Sequence, residues 1–256
     1  KYSTNALDFD SYHIQDLTNL NNNSVVNVFK SVKLDKVGFS YTKEKKSVFK
    51  NVDLLINRGD VVGLIGASGS GKTTLIDLLL CFVKPKTGRI LYNGIEIENH
   101  IHDWISQVAY IPQEIFIADS TLRNNIALGV LESAIDDEQI MLAIKQSQLD
   151  KMLEKLDDGI NTFIGEKGIK LSGGERQRIA LARAIYHKRD VLFMDESTSA
   201  LDRETEEQIL DEIKGLKGIK TFIIVAHNYS TLKYCDVIYE VRKEGLINRG
   251  KYNDIV

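Results

Sequence analysis

The rhythm of apolar positions divides the chain into zones of different character. Val32–Tyr41 and Val52–Ile56 are short β-type runs separated by the charged turn Lys43-Glu44-Lys45-Lys46. Val61-Val62-Gly63-Leu64-Ile65 has no polar side chain, as expected of a strand buried on both faces. A glycine-rich loop follows, and then a helix through about Leu80. Arg89–Tyr92 and Ile95–Ile97 flank Asn93-Gly94, the dipeptide that best tolerates the left-handed conformations of a type I′ hairpin. Val108–Ile111 reads as a further strand. From about 121 to 186 the chain reads as mostly helical; apolar positions within Glu138–Leu156 recur at helical spacing. Val191–Met194 and Phe222–Val225 return to buried-strand character, and Val237–Val241 forms a late strand. The order is β-rich, glycine loop, helical insert, then α/β, without internal repeats.

The 256 residues suit one domain with a subdomain and suffice for a sizeable core. Residues 1–30 are polar and irregular, with the run Asn21-Asn22-Asn23-Ser24. They are expected to be a linker from an upstream domain, leaving 31–256 as the folded unit. The chain starts at Lys1 without Met, as a fragment of a longer polypeptide would. A formal net charge of −3 gives no electrostatic case for a nucleic-acid partner. The densest apolar stretch, Leu78–Val83, is far short of the roughly 18 residues that span a bilayer. Cys81 and Cys235 are too few and too isolated for a metal site or disulfide framework, and are expected to pack as small apolar residues.

Gly66-Ala67-Ser68-Gly69-Ser70-Gly71-Lys72-Thr73 fits the P-loop pattern without a gap, between a buried strand and a helix. Glycines let backbone N–H groups turn inward toward phosphates, and the helix N-terminus adds positive potential. Lys72 is placed to reach the β- and γ-phosphates, the Thr73 hydroxyl to ligate Mg²⁺, and Thr74 to adjoin them. Val191-Leu192-Phe193-Met194 ends in Asp195-Glu196. Asp195 is assigned to Mg²⁺ and Glu196 to the attacking water as general base. Adjacent strand residues point opposite ways, so the two carboxylates are expected to act separately.

Leu171-Ser172-Gly173-Gly174-Glu175-Arg176-Gln177-Arg178 lies between these two motifs. In that order, the three segments resemble the nucleotide-binding domain of ABC transporters over roughly residues 30–256. The resemblance implies an α/β fold: a P-loop NTPase core, an N-terminal antiparallel β-subdomain, and a helical subdomain over about 115–187 carrying the signature. It also implies roles for other residues. Tyr41 looks like the aromatic that stacks on adenine. Gln113, in Tyr110-Ile111-Pro112-Gln113, looks like the glutamine that touches Mg²⁺ and the attacking water. Ser199-Ala200-Leu201-Asp202 looks like the loop that crosses the dimer interface, and His227 like the switch histidine that contacts the γ-phosphate. Asn228 stands where the family often has Arg, a departure expected to have a modest effect.

Ser172, Gly173 and Gly174 are expected to open a helix running to about Tyr186. A hydroxyl, small residues and a free helix N-terminus make an anion-binding surface. By resemblance, Leu171–Glu175 meets the γ-phosphate held by the opposite subunit, so that two ATP molecules are buried between two head-to-tail cassettes. The plainer alternative is a Ser N-cap on a surface helix, which leaves the paired glycines unexplained.

Thr162–Gly168 and Ile117–Ile126 resemble segments of exporter-type cassettes. Apolar Ile115, Phe116 and Ile117 are expected to line the groove that receives a coupling helix, or else to pack internally. In that class the cassette usually follows membrane helices in the same polypeptide, on the cytoplasmic face of the membrane. The expected partners are therefore a second cassette, with a homodimer favoured by the intact site residues, and a transmembrane domain. A non-transport ABC ATPase is the main rival, although the stretch between Thr73 and Ser172 leaves no room for long coiled coils. A module that uses ATP as a regulatory ligand is the other rival; Glu196 argues against it.

Overall fold

The structure, a computed structural model, describes residues 28–41, 47–166, 168–195, 203–226, 229–243 and 245–255; side chains are described for all of these except 203–205. The chain opens with β1 (Ser31–Phe39) and β2 (Phe49–Asn57), followed by β3 (Val61–Ile65) and α1 (Lys72–Leu79). Next come β4 (Thr87–Tyr92), β5 (Ile95–Glu96), α2 (Ile101–Gln107) and β6 (Val108–Ile111). The helical segment contains β7 (Ser120–Thr121), α3 (Leu122–Ile126), α4 (Asp137–Gln146), α5 (Asp150–Leu153), β8 (Phe163–Ile164) and α6 (Gly173–Tyr186). The rest is β9 (Val191–Asp195), α7 (Arg203–Leu216), β10 (Thr221–Val225), β11 (Val237–Arg242) and β12 (Gly245–Asn248).

Two sheets dominate. One is antiparallel, in the order β2-β1-β4-β5; the other has six strands, in the order β12-β11-β3-β10-β9-β6. In the second, β11, β3, β10, β9 and β6 run parallel, and β12 pairs antiparallel at the edge. The period of two along each central strand sends alternate residues to opposite cores. Leu192, Met194, Phe222 and Ile224 face the helical side. Val191, Phe193, Ile223 and Val225 face α1 and the antiparallel sheet. That explains why these strands read as unbroken apolar runs. Gly63 is required inside β3 because a Cβ there would lie 2.7 Å from Leu232 Cδ2 and 3.1 Å from Cys235 Sγ.

The α/β architecture with its antiparallel β-subdomain and helical subdomain is as the sequence implies. The hairpin forms at Asn93-Gly94, with φ of 52° and 85° and Tyr92 opposite Ile95. Its second strand stops at Glu96, and Ile97 begins a 3₁₀ turn instead. The 121–186 segment carries α3 to α6, but it is broken by irregular stretches between Ile126 and Asp137 and between Leu153 and Gly173, and by the small β7–β8 pairing, which ties Ser120 to Ile164. Phe29, placed in the expected linker, is fully buried against Tyr92 and Trp104, with ring centroids 6.4 and 5.6 Å away. The amides of Lys30 and Ser31 donate to Asn93 Oδ1, so this end of the segment belongs to the folded unit. Cys81 is half-buried and Cys235 buried; burial pushes both thiols up to about 12, which suits inert packing. Among the described residues, no helix is long and apolar enough to cross a membrane.

Candidate functional site: a phosphate cradle at the sheet edge

Because β3, β10 and β9 are parallel, their C-terminal ends emerge at one edge of the sheet, the usual place for a ligand in α/β folds. β3 delivers the chain to Gly66, whose φ is 153°. A Cβ at Gly66 would lie 2.5 Å from Val241 O and 2.7 Å from Ser70 Oγ, so only glycine fits this turn. Ser70 N donates to Ala67 O at 3.1 Å and closes the loop. Gly71, at φ 111°, stands at the N-cap of α1 and gives it no side-chain cap.

Two features make this helix start receptive to an anion. Its first turn contains no acidic residue. The first intrahelical bond is Leu75 N to Gly71 O, so the amides before Leu75 are the uncompensated ones. Lys72 folds back over the loop, its Nζ donating to Gly66 O at 2.8 Å and Ala67 O at 3.4 Å, with only 8% of the residue exposed. Its positive charge is therefore held at the mouth by neutral carbonyls. Ser70 Oγ is buried with no hydrogen-bond partner among the described residues, a polar group left for a ligand or water to satisfy. Ala67, Ser68 and Gly69 form the exposed rim.

Tyr41 stands beside this cradle. Its hydroxyl shares a 2.9 Å hydrogen bond with Oγ1 of buried Thr74 in α1, and its ring meets Phe39 edge-on with centroids 5.0 Å apart. More than half of Tyr41 is exposed, leaving ring surface open to a flat partner. Thr73 is exposed in the first turn of α1. Asp195 ends β9, where its Oδ2 accepts a 2.9 Å bond from the Tyr110 hydroxyl. Burial, together with the nearby Asp195, pushes the Asp77 carboxyl on α1 above the usual carboxylate range. Burial and the bond to Asp195 likewise raise the Tyr110 phenol, which stays protonated and donating. No group of three or more His, Cys, Asp or Glu could hold a metal among the described residues. The donor set is instead one hydroxyl and one carboxylate beside an anion site. That suits Mg²⁺, which keeps waters and binds through one or two protein oxygens plus phosphates.

The signature lies at the start of α6. Ser172 Oγ accepts from Glu175 N at 3.2 Å, and Glu175 Oε2 accepts from Ser172 N at 2.8 Å, a complete capping box. The Ser N-cap reading therefore holds. The cap does not consume the Ser172 hydroxyl as a donor, because an oxygen that accepts still carries its own O–H. Ser172 is exposed, and no hydrogen bond or ion pair among the described residues joins Ser172–Glu175 to the P-loop. Leu171 and Gly173 are partly exposed, while Gly174 is buried. Behind the cap, Arg178 donates to Glu212 Oε1 at 3.0 Å and to Gln208 Oε1 at 2.8 Å, tying α6 to α7.

Gln113 is exposed two residues beyond β6. Glu196, Ser199, Ala200, Leu201, Asp202, His227 and Asn228 lie outside the described residues. Ile115 and Phe116 do line a groove of roughly 340 Å³ between β6 and α6, with Leu128, Arg183, His187 and Arg189 on its other walls. Ile117 instead packs against the helical-side core. Sequence reasoning did not find Tyr110, Arg183 or the Arg178–Glu212 pair. For Tyr110, the strand period was a usable signal, since it sets the residue on the same face as Val108.

These features define a P-loop nucleotide-binding domain of α/β architecture. Residues 49–199 match the ABC transporter family, and the chain belongs to it. It is 34% identical over 227 residues to an "ATP-dependent lipid A-core flippase" of Ralstonia nicotianae, covering 88% of this chain and 38% of that protein. It is 38% identical over 238 residues to a "putative export ATP-binding/permease protein" of Rickettsia prowazekii, covering 92% of this chain and 40% of that one. A solved bacterial Atm1-family ABC exporter with ATP bound superposes with a TM-score of 0.78 at 32% identity, covering 91% of this chain and 40% of that one. The chain thus spans about two-fifths of these relatives' length.

Proposed function

We propose that this chain is the ATP-binding and ATP-hydrolysing cassette of an ABC exporter, acting as one of two that close head to tail at the cytoplasmic face of a membrane. The observation that carries this reading is the cradle itself: an acid-free helix N-terminus with Lys72 folded over it, beside Asp195 at the same sheet edge. Likeness to export proteins, one of them solved with ATP bound, supports the exporter assignment.

The amides of Gly66–Thr73 take the phosphates of ATP, and Lys72 leaves its carbonyl partners to pair with the β- and γ-oxygens. Tyr41 offers its ring to adenine. Thr73, Asp195 and Gln113 would hold Mg²⁺, which would supply charge neutralisation at the transferring phosphoryl. Glu196 accepts the proton of the attacking water as its oxygen bonds to γ-phosphorus and the bond to ADP breaks. His227 contacts the γ-phosphate. Ser172, by its free O–H, and the Gly173 and Gly174 amides complete the site of the opposite copy, with the Ser199–Asp202 loop crossing between them. Catalysis is then positioning and charge stabilisation, without a covalent intermediate. Closure and reopening drive a transmembrane domain, which lies upstream in the same polypeptide with the residues before Val28 as the junction.

Glu196→Gln tests this reading, since it removes the base while keeping the shape. The variant is expected to bind ATP, lose nearly all turnover and accumulate as an ATP-dependent dimer on size-exclusion chromatography. Substantial hydrolysis by the variant would remove Glu196 from its role.

A further inference from the structure

Two arginines tie α6 to other parts of the chain. In its C-terminal half, Arg183 donates to Asn125 O at 2.6 Å and to Phe116 O at 2.7 Å. Nearer the signature, Arg178 donates from Nε to Glu212 Oε1 at 3.0 Å and from Nη2 to Gln208 Oε1 at 2.8 Å. Gln208 and Glu212 stand four residues apart on α7, so they share one face about one turn apart. The guanidinium of Arg178 thus bridges a turn of the facing helix. A slide of α6 along α7, or a rotation about its own axis, would break both bonds, because a planar fork meets its acceptors in one geometry. Apolar contact alone is non-directional and resists neither motion as sharply.

As a source of stability the arrangement is poor. The Glu212 side chain is 1% exposed, and its Oε2 is buried with no hydrogen-bond partner among the described residues. Beside it, Ile111, Leu181, Met194, Ile209 and Ile213 line a small gap of roughly 10 Å³. Well-packed apolar side chains in place of a buried ion pair are often neutral or stabilising. What the fork adds is a fixed register. Register matters most at the start of α6, where Ser172 lies six residues before Arg178, about 9 Å along the axis. That start opens on Gly173-Gly174, a weak helix beginning, and its capping box closes only on itself. Ser172 therefore takes its position from the body of the helix behind it.

From this geometry we infer that Arg178, forked onto Gln208 and Glu212, is a positioning residue for the signature: it sets the register of α6 on α7, and with it the place where Ser172 and the Gly173 and Gly174 amides meet the nucleotide of the opposite copy. The inference rests on the shared-site reading above and adds to it the side chains that aim the signature. Arg178 touches no nucleotide on this account, and its effect falls on the ATP held by the partner copy rather than on the one in its own P-loop. The competing outcome is an action within its own chain. The gap beside the fork is lined by Met194, which immediately precedes Asp195, and by Ile111, two residues before Gln113.

The test separates the two by placing one change in either half of a mixed pair. Lys72→Ala chains mixed with Ser172→Arg chains form one productive site, from the signature of the first and the P-loop of the second. Arg178→Met with Glu212→Leu removes the fork while filling the space with apolar groups, and thermal unfolding checks that the double variant folds. Placed in the Lys72→Ala chain, it is expected to lower the recovered kcat about tenfold, as a misplaced catalytic contact does, with the KM for ATP unchanged. Placed in the Ser172→Arg chain, it should leave the recovered rate as it was. Gln208→Ala, at an exposed position, removes one prong without touching the core and should act in the same chain by a smaller factor. A loss confined to the Ser172→Arg chain, an equal loss in both placements, or no loss in either would overturn the positioning role while the shared site stands. A parent mixture that regains no activity would overturn the shared site, and this inference with it.

Discussion

The Tyr110 hydroxyl donates a 2.9 Å hydrogen bond to Oδ2 of Asp195, linking the strand that leads to Gln113 with the carboxylate at the end of β9. One oxygen of Asp195 is thereby held. Tyr110→Phe removes the donor and keeps the ring. It is expected to raise the Mg²⁺ requirement roughly threefold to tenfold, a discounted range for a hydrogen bond to a charged group at a partly exposed site. Metal-free ATP affinity should not change. Mn²⁺ binding in the presence of ATP, followed by electron paramagnetic resonance, reads this directly, and an unchanged metal affinity would show that the bond does not position Asp195.

Arg178 and Glu212 form the most buried ion pair among the described residues, with side-chain exposures of 15% and 1%. Burial raises the Glu212 carboxyl even though Arg178 opposes the shift. Arg178→Met leaves that carboxylate unpaired and is expected to cost about 3 kcal/mol; adding Glu212→Leu should recover most of it. The single variant's deficit should be largest at neutral pH, where Glu212 is charged. It should shrink as pH falls toward the ordinary glutamate value, because the raised folded pKa lets the group protonate in the native state first. Urea unfolding of both variants across pH checks this.

Tyr41 couples the β-subdomain to the P-loop helix through Thr74. If its ring stacks on adenine, Tyr41→Ala should weaken ATP binding by about 1–3 kcal/mol, as for other base–aromatic contacts. Tyr41→Phe should cost far less. Inorganic tripolyphosphate provides the control: its affinity should be indifferent to Tyr41→Ala, and an equal loss there would assign the effect to loop structure.

His187 carries a depressed pKa, so its neutral form is the one the fold favours. The stability it contributes is complete above its ordinary value of 6.5 and is lost as pH falls through that value toward the lower folded one. His187→Gln should therefore flatten the dependence of Tm on pH between roughly 8 and 5. A wild-type slope that survives the substitution would place the titration elsewhere.

The P-loop was legible because its pattern is gapless and its flanks are a buried strand and a helix. β3, β9 and β10 were legible because both their faces are covered, which forces apolar residues at successive positions. The Asn93-Gly94 turn was legible because few other dipeptides adopt two positive φ angles in succession. α2 was not, since Ile101–Gln107 is only two turns long, and of its apolar positions Ile101, Trp104 and Ile105 only Trp104 is fully buried. Arg183 was not legible either. Its environment is built by Phe116 and Asn125, 67 and 58 residues away, and only the fold brings them together. Ser172 shows a different limit: cap and signature were posed as alternatives, yet one oxygen can accept from Glu175 N and still donate outward.

On the proposed function, each site needs the P-loop of one copy and the signature of another. Lys72→Ala breaks the first element, and Ser172→Arg blocks the second. Each variant alone should lack ATPase activity. Mixed in equal amounts, half of the random pairs join one intact P-loop to one intact signature, so about a quarter of the wild-type rate should return. Recovery of that order is the predicted result. A mixture as inactive as its components, or full activity of Ser172→Arg alone, would contradict a site shared between two chains.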